Sequence, residues 1–382
     1  MFVTDSVKYV GVDDLDLDLF ESQYPIPYGV SYNSYVILDD KITIMDTVDV
    51  RATESWLKNL EEVLGGKEPA YLVISHMEPD HAANAARLAQ MYPKMQLVGN
   101  AKTFTILEQF FEIDTAERRV VVKEGDTLSL GNHTLRFVMA PMVHWPEVMV
   151  TYEESEKILF SADGFGTFGA LSEKLPWIQE ARRYFINIVG KYGPSVQTLL
   201  KKAAGLDIAM ICPLHGPVLK EDLAFYLDKY NTWSSYTPED SGVVVAYASI
   251  HGHTKEAALY MAQQLRDAGE RVVVFDLSRD DVSYAVEAAF RLDRMVLAAA
   301  TYDGGLFPCM EDFLHHLAAK NFQNRKIALL ENGSWGPVAA KKMKEILESM
   351  KNLTICDTVV TIKSAMKEAD KEKIAGMLEE LK

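Results

Sequence analysis

The sequence predicts two units in tandem, a mixed α+β unit over residues 1–240 and a doubly wound parallel α/β unit over residues 241–382. Three observations carry this reading. After residue 240, apolar strand-like runs alternate with helix-compatible stretches, the grammar of a parallel sheet with crossover helices. Before it, short β-rich runs come in hairpin-like pairs. Between the two, Ser234–Gly242 is polar, contains Pro238 and Gly242, and precedes a strongly apolar run, as a linker does. A chain of 382 residues is long enough for two to three cores.

In the first unit the hairpin-like runs are Ser34–Leu38 with Ile42–Met45, then Val120–Val122, Thr127–Leu130 and Thr134–Met139, with a Gly131-Asn132 turn between the last two. Helical stretches such as Ala52–Leu64 and Ala82–Met91 intervene. In the second unit the strands are expected at Val243–Ala248, Arg271–Phe275, Met295–Ala300, Lys326–Leu330 and Leu353–Val360. The helices between and after them are expected at Lys255–Ala268, Val282–Phe290, Cys309–Lys320, Val338–Met350 and Ala365–Leu381.

Charge divides along the same line. Residues 1–240 hold 35 acidic against 21 basic residues, whereas residues 241–382 hold 20 against 18. The net charge of −16 argues against a nucleic-acid binder, because phosphates are repelled. Cys212, Cys309 and Cys356 form no C-x-x-C pair, so neither a disulfide framework nor a thiolate iron site is encoded. The first residues lack the basic and apolar regions of a signal peptide, and no apolar run reaches the ~20 residues of a membrane span. A reducing cytoplasm is the expected compartment.

The sharpest local feature is SHMEPDHAAN, which follows the apolar run Tyr71–Ile74 and sets His76, Glu78, Asp80 and His81 within six residues. Residues two apart on an extended segment point the same way, so His76, Glu78 and Asp80 are expected to converge. Pro79 restricts Glu78 to extended backbone. Carboxylates gathered this way repel one another unless a cation joins them. Three further candidates each end an apolar run: His144 in APMVHWPEV, Asp163 in ILFSADGFG and His215 in IAMICPLHGP. Seven ligands exceed the need of one tetrahedral ion and suit two ions that share a carboxylate. Imidazole and carboxylate without thiolate suit iron or manganese at least as well as zinc. His133, His315 and His316 are expected at the surface.

The second unit opens with YASIHGHTKEAA. Ser249, Ile250, His251, Gly252, His253 and Thr254 bring hydroxyls and backbone N–H groups to a helix start, a setting for a phosphate monoester. TYDGGLFP (Thr301, Tyr302, Asp303, Gly304, Gly305) and NGSWG (Gly333, Ser334, Trp335, Gly336) follow two later strands, at the sheet edge where α/β proteins bind ligands. Tyr302 and Trp335 are placed to flank a flat ring. Together the three loops point to FMN.

Both constellations resemble one family, the flavodiiron proteins, over essentially the whole chain. H-x-E-x-D-H, HWPE, FSADGFG, PLHGP, SIHGHT, TYDGGLFP and NGSWG fall in that family's order. Metallo-β-lactamase hydrolases usually carry H-x-H-x-D-H, and Glu78 replaces the middle His. The resemblance implies a metallo-β-lactamase-like αββα domain followed by a flavodoxin-like FMN-binding domain. It implies His76, Glu78 and His144 on one iron, Asp80, His81 and His215 on the other, and Asp163 as the bridge. It further implies reduction of nitric oxide, dioxygen or both. Electrons would come from rubredoxin or a reduced deazaflavin cofactor through FMN, within a head-to-tail homodimer or a dimer of such dimers.

Trp335 stands where the family commonly has Tyr, and Ala300 and Gly164 also depart from its pattern. The chain shows no rubredoxin segment after the second unit, so a separate donor is expected, near the almost neutral flavin domain. Tyr192 in KYGPSV is a candidate hydrogen-bond donor beside the metals. Two alternatives remain at this stage: a zinc hydrolase with an accessory α/β domain, and a flavin-binding electron carrier with a vestigial metal site.

Overall fold

The computed structural model describes all 382 residues. They divide into two compact units: Met1–Phe185 with Pro194–Asn231, and Ile186–Gly193 with Thr232–Lys382. The division at residue 240 read from the sequence lies a few residues later and has no counterpart of the excursion at 186–193. Hydrogen bonds explain that excursion. Lys320 Nζ donates to the Asn187 carbonyl and the Asn321 amide to the Lys191 carbonyl, both at 2.7 Å.

The first unit holds two sheets. One has six strands in the spatial order Val7–Tyr9, Tyr35–Ile37, Thr43–Met45, Tyr71–Val73, Gln96–Gly99 and Arg119–Val121. The other has five, in the order Thr127–Ser129, Thr134–Met139, Met149–Glu153, Ile158–Phe160 and Met210–Cys212. Tyr35, Met45, Val73 and Val98 of the first sheet pack in one core with Leu135, Phe137, Met149 and Phe160 of the second. Helices cover the outer faces, which completes an αββα sandwich. In the helix Thr53–Leu64 the buried Trp56, Leu60 and Leu64 recur at a spacing of four and form its apolar stripe. Gly65, at φ 55°, ends that helix in the left-handed conformation.

Two expectations change here. The run near Val120 is not part of a hairpin series with residues 127–139. Arg119–Val121 pairs parallel with Gln96–Gly99 in the other sheet, because the helix Ala101–Phe110 provides the crossover. His133 is buried rather than superficial, with its Nδ1 2.8 Å from the Asp39 carboxylate.

The second unit is a parallel sheet in the order Val272–Asp276, Asp240–Ala248, Leu292–Tyr302, Lys326–Asn332 and Thr354–Ile362. This is the 2-1-3-4-5 order of the flavodoxin-like doubly wound fold. Val243, Val245 and Tyr247 pack on Ala258, Met261 and Leu265 of the helix His253–Asp267. Val244 and Ala246, which point the other way, are equally buried, so both faces of the sheet are covered. No helix of the structure is long and apolar enough to cross a membrane.

Candidate metal centre and flavin pocket

The ligand loop is held at both ends. Tyr71–Val73 is buried on both faces and runs into Ser75, whose N–H donates to Asp46 Oδ1 at 2.6 Å. Asp46 takes a left-handed conformation, φ 55°, to reach it. At the far end, the Thr47 N–H and hydroxyl both donate to the His81 carbonyl, at 2.8 and 2.7 Å. Burial pushes the Asp46 acid up to about 6, although the Ser75 hydrogen bonds oppose it.

Between these anchors the backbone changes character. Glu78 is extended, as Pro79 requires, but Pro79 then starts a short helix over Pro79–Ala82. Asp80 and His81 therefore leave the extended segment. His76 and Glu78 converge with His144 and Asp163, while Asp80 joins His81 and His215. The expected convergence of His76, Glu78 and Asp80 in one small volume thus divides at Asp80, which falls in the second group as the resemblance implies. A helical turn rotates successive side chains by about 100°, not 180°.

The other ligands arrive on loops at strand ends. His215 follows Met210–Cys212, and the Asn33 amide donates to the carbonyls of Pro213 and Gly216, each at 2.8 Å. Gly216 has φ +83°, and a Cβ there would lie 2.3 Å from Thr167 Cγ2, so only glycine fits. Asp163 follows Ile158–Phe160 and lies at the centre. Its Oδ2 is 3.4 Å from His76 Nε2 and 3.2 Å from His144 Nε2. Its Oδ1 is 3.0 Å from His81 Nε2 and 3.9 Å from His215 Nε2. Glu78 Oε2 closes the first group, 3.2 and 3.0 Å from His76 and His144. Asp80 Oδ2 closes the second, 3.3 and 3.2 Å from His81 and His215.

These residues fit a pair of metal ions. Two donors bonded to one ion at about 2.1 Å, about 100° apart, stand about 3.2 Å from each other. Both Asp80 oxygens, Asp163 Oδ1 and the Nε2 atoms of His81, His144 and His215 are buried without a hydrogen-bond partner. Buried polar atoms are rarely left so, and ions would satisfy all of them. Without metal, mutual pairing dominates the electrostatics. Burial alone would lower His144, but the adjacent Asp163 and Glu78 carboxylates outweigh that and hold it up at about 9. Asp163, despite complete burial, is held well below the usual carboxylate range by His81, His144 and His76.

A further shell of contacts was not legible as ligation in the sequence. Fully buried Glu147 accepts from the Met77 N–H at 2.9 Å and lies 2.8 Å from His76 Nδ1. His215 Nδ1 lies 2.7 Å from the Ser31 carbonyl. Such partners fix imidazole orientation and tautomer. The available signal was the HWPE string, in which Glu147 follows His144 by three. The ring of buried Tyr184 stands 5.6 Å from His215. Tyr192 lies on the short 3₁₀ turn Gly190–Tyr192 of the excursion grouped with the second unit, and no hydrogen bond joins it to the ligands. His315 is exposed and His316 partly so. The three cysteines are free, and none belongs to the ligand groups.

In the second unit a cavity of about 710 Å³ opens where the strands Asp240–Ala248, Leu292–Tyr302 and Lys326–Asn332 end. Of the expected residues it is lined by Ile250, His251, His253, Thr254, Thr301, Tyr302, Asp303, Gly304, Gly333, Ser334, Trp335 and Gly336. Ala300, Asn332 and Ser364 complete it. Ser249 and Gly252 instead shape its first loop: the Gly252 N–H donates to Ser249 Oγ at 3.1 Å, and Gly252, at φ 94°, begins the helix His253–Asp267. The free N–H groups of that helix start can take a phosphate. Gly305 pairs with Tyr302 in a short antiparallel ladder. The Thr301 hydroxyl accepts from Val338 and Ala339 N–H at 2.9 and 3.2 Å, tying the second loop to the start of the helix Ala339–Leu347 that follows the third loop. The cavity's size suits an FMN, with a phosphate cradle at one side and the rings of Tyr302 and Trp335 at its rim.

Residues 30–216 match the ODP family beta lactamase domain, and residues 244–370 match a flavodoxin domain. The chain is built as a flavodiiron protein. Among its curated relatives, rubredoxin-oxygen oxidoreductase of Megalodesulfovibrio gigas is 28% identical over 98% of this chain and 95% of its own length. The anaerobic nitric oxide reductase flavorubredoxin of Aeromonas hydrophila is 27% identical over 87% of this chain and 70% of its own. The solved structure of rubredoxin oxygen:oxidoreductase from Desulfovibrio gigas superposes with a TM-score of 0.94 at 27% identity, covering 100% of this chain and 97% of the other. The cofactors of a flavodiiron protein, FMN and a non-haem di-iron centre, match the two sites described above.

Proposed function

We propose that this flavodiiron oxidoreductase reduces nitric oxide to nitrous oxide, dioxygen to water, or both, with electrons passing through FMN. The observation that carries the reading is Asp163, which turns one carboxylate oxygen to each of two ligand groups. Bound there, a pair of irons supplies redox-active sites for a diatomic gas. His76, Glu78 and His144 hold one ion, and Asp80, His81 and His215 the other. Glu147 and the Ser31 carbonyl orient two of the imidazoles. Tyr184 keeps its hydroxyl proton, because burial and the Asp163, Asp80 and Glu78 carboxylates raise it well above the usual tyrosine range. It is thus a neutral donor beside His215. Phe20 and Trp145 wall the ligands with apolar surface, edge-on to His215 and His76. In the second unit the His251–Thr254 loop takes the FMN phosphate and the rims at Tyr302 and Trp335 take its ring.

On the same reading the donor is rubredoxin, or a reduced deazaflavin, and the protein works as a cytoplasmic head-to-tail homodimer. The name of the M. gigas relative supports the rubredoxin donor. Purification without oxygen tests the function. We expect two irons and one FMN per chain, and consumption of nitric oxide or dioxygen on addition of reduced rubredoxin. A colourless protein that holds only zinc overturns it in favour of a hydrolase.

A further inference from the structure

The flavin cavity has a fourth loop that no sequence motif marks. Besides the loops after Asp240–Ala248, Leu292–Tyr302 and Lys326–Asn332, it is lined by Ser364, which follows the last strand, Thr354–Ile362. Strand order places Ser364 across the cavity from the His251–Thr254 loop, three strand spacings or about 14 Å along the sheet edge. FMN carries its phosphate and its ring at the two ends of its ribityl chain. With the phosphate assigned to the His251–Thr254 loop, the end that Ser364 closes is the ring end.

Hydrogen bonds lock the third and fourth loops together. The parallel ladder between their strands ends with Asn332 beside Ile362. The Gly333 N–H then donates to the Ile362 carbonyl at 3.1 Å, and the buried Asn332 side chain carries the pairing further. Its Nδ2 donates to the Ser364 carbonyl at 2.9 Å, and its Oδ1 accepts from the Ser364 N–H at 3.2 Å. Ser364 is held at φ 69°, in the left-handed region that serine seldom takes. Its Oγ stands 2.8 Å from Ser334 Oγ, and both residues are exposed on the cavity wall.

Two hydroxyls joined by one hydrogen bond keep one O–H donor and spare acceptor lone pairs between them. The isoalloxazine ring has one apolar edge, a dimethylbenzene, and one polar edge, on which the N–H at N3 lies between two carbonyls. The hydroxyl pair matches the polar edge, whereas the apolar edge would leave it without partners. The neighbouring polar side chains are committed or mismatched. Both ends of the Asn332 amide are on Ser364, the Thr301 hydroxyl accepts from two N–H groups, and the Asp303 carboxylate offers acceptors alone. We propose that the Ser334–Ser364 pair is the subsite for the polar edge of the flavin ring, with Asn332 as the residue that positions it. This rests on the reading of the cavity as the FMN site.

The test uses the full chain stripped of flavin and titrated with FMN or with FMN methylated at N3, each followed by flavin fluorescence. Ser364→Gly removes one hydroxyl and accepts the left-handed backbone, and Ser334→Ala removes the other. Each variant should weaken FMN by about three- to tenfold, the worth of one hydrogen bond, and bind the methylated flavin within about twofold of wild type. Asn332→Asp, which cannot donate to the Ser364 carbonyl, should weaken FMN by a similar factor and likewise spare the methylated flavin. Wild-type FMN affinity in both serine variants overturns the subsite. Equal loss of both flavins overturns it too, because that is a loosening of the loops and not a lost contact at N3. Wild-type FMN affinity in Asn332→Asp overturns the positioning role. A wild-type apoprotein that takes up neither flavin overturns the reading of the cavity instead, so the two failures are distinct.

Discussion

The metal centre and the flavin pocket are built on opposite plans. The metal centre is made of side chains, seven of them, nearly all buried and held in place by neighbours such as Asp46, Thr47, Asn33 and Glu147. The flavin pocket is made of loop backbone and rim side chains, and Trp335 is 87% exposed. The first gathers buried oxygens and nitrogens that have no hydrogen-bond partner, the donors that a cation takes up. The second gains its dry surface only when a ring lies against it. Preorganised buried sites lose everything when one member goes, whereas open sites lose by increments.

The largest expected effect follows from breaking the bridge. Asp163→Ala removes the one group common to both ligand sets. Iron content should fall from two towards none, and gas reduction by about 10³-fold or more, with FMN content unchanged. Metal analysis beside flavin absorbance checks it. Loss of FMN as well would show that the two sites are not independent.

Glu147→Gln leaves every ligand in place but weakens the orientation of His76. Iron affinity should drop by about 10–100-fold, measured by chelator competition. Wild-type affinity would mean that the ligand loop needs no support from Glu147.

Proton competition sharpens the contrast further. His144 in metal-free protein holds its proton up to about 9, because Asp163 and Glu78 outweigh burial. An incoming ion must displace that proton, so metal affinity should rise about tenfold per pH unit between pH 7 and 9, then flatten. The folded His144 value lies above the unfolded one. The stabilisation it contributes is therefore full below the usual histidine range and is lost as pH rises through about 9. Melting of metal-free protein should accordingly shift down over that interval, while flavin affinity stays flat.

The smallest effect is expected at the rim of the open site. Trp335→Ala should weaken FMN by about two- to tenfold, the worth of one aromatic contact, and leave iron content alone. Fluorescence titration of flavin onto apoprotein measures it.

The two plans also explain what could be read in advance. The local string His76-x-Glu78-x-Asp80-His81 was legible, because four potential ligands within six residues leave few other meanings. The alternation of strands and helices after residue 240 was legible too, because parallel strands buried on both faces read as continuous apolar runs. The flavin loops followed, since in such a sheet the loops after the strands form one edge.

Tertiary structure decided the rest. Which ion each ligand joins depends on where Pro79 converts an extended segment into a helix, and that turn sends Asp80 away from His76. That Glu147 supports His76 across 71 residues is invisible in either neighbourhood. The same holds for Asp39 beside His133, and for Arg119–Val121 pairing in the first sheet. Tyr184 and Tyr192 are equivalent as letters in a sequence, yet only Tyr184 is buried against a ligand ring. The sequence by itself determined which chemistries are present and the periodicities that fold the two units. The structure determined which side chains meet. Periodicity is a property of neighbours along the chain, whereas ligation depends on distances of a few ångströms between loops that only the packed sheets bring together.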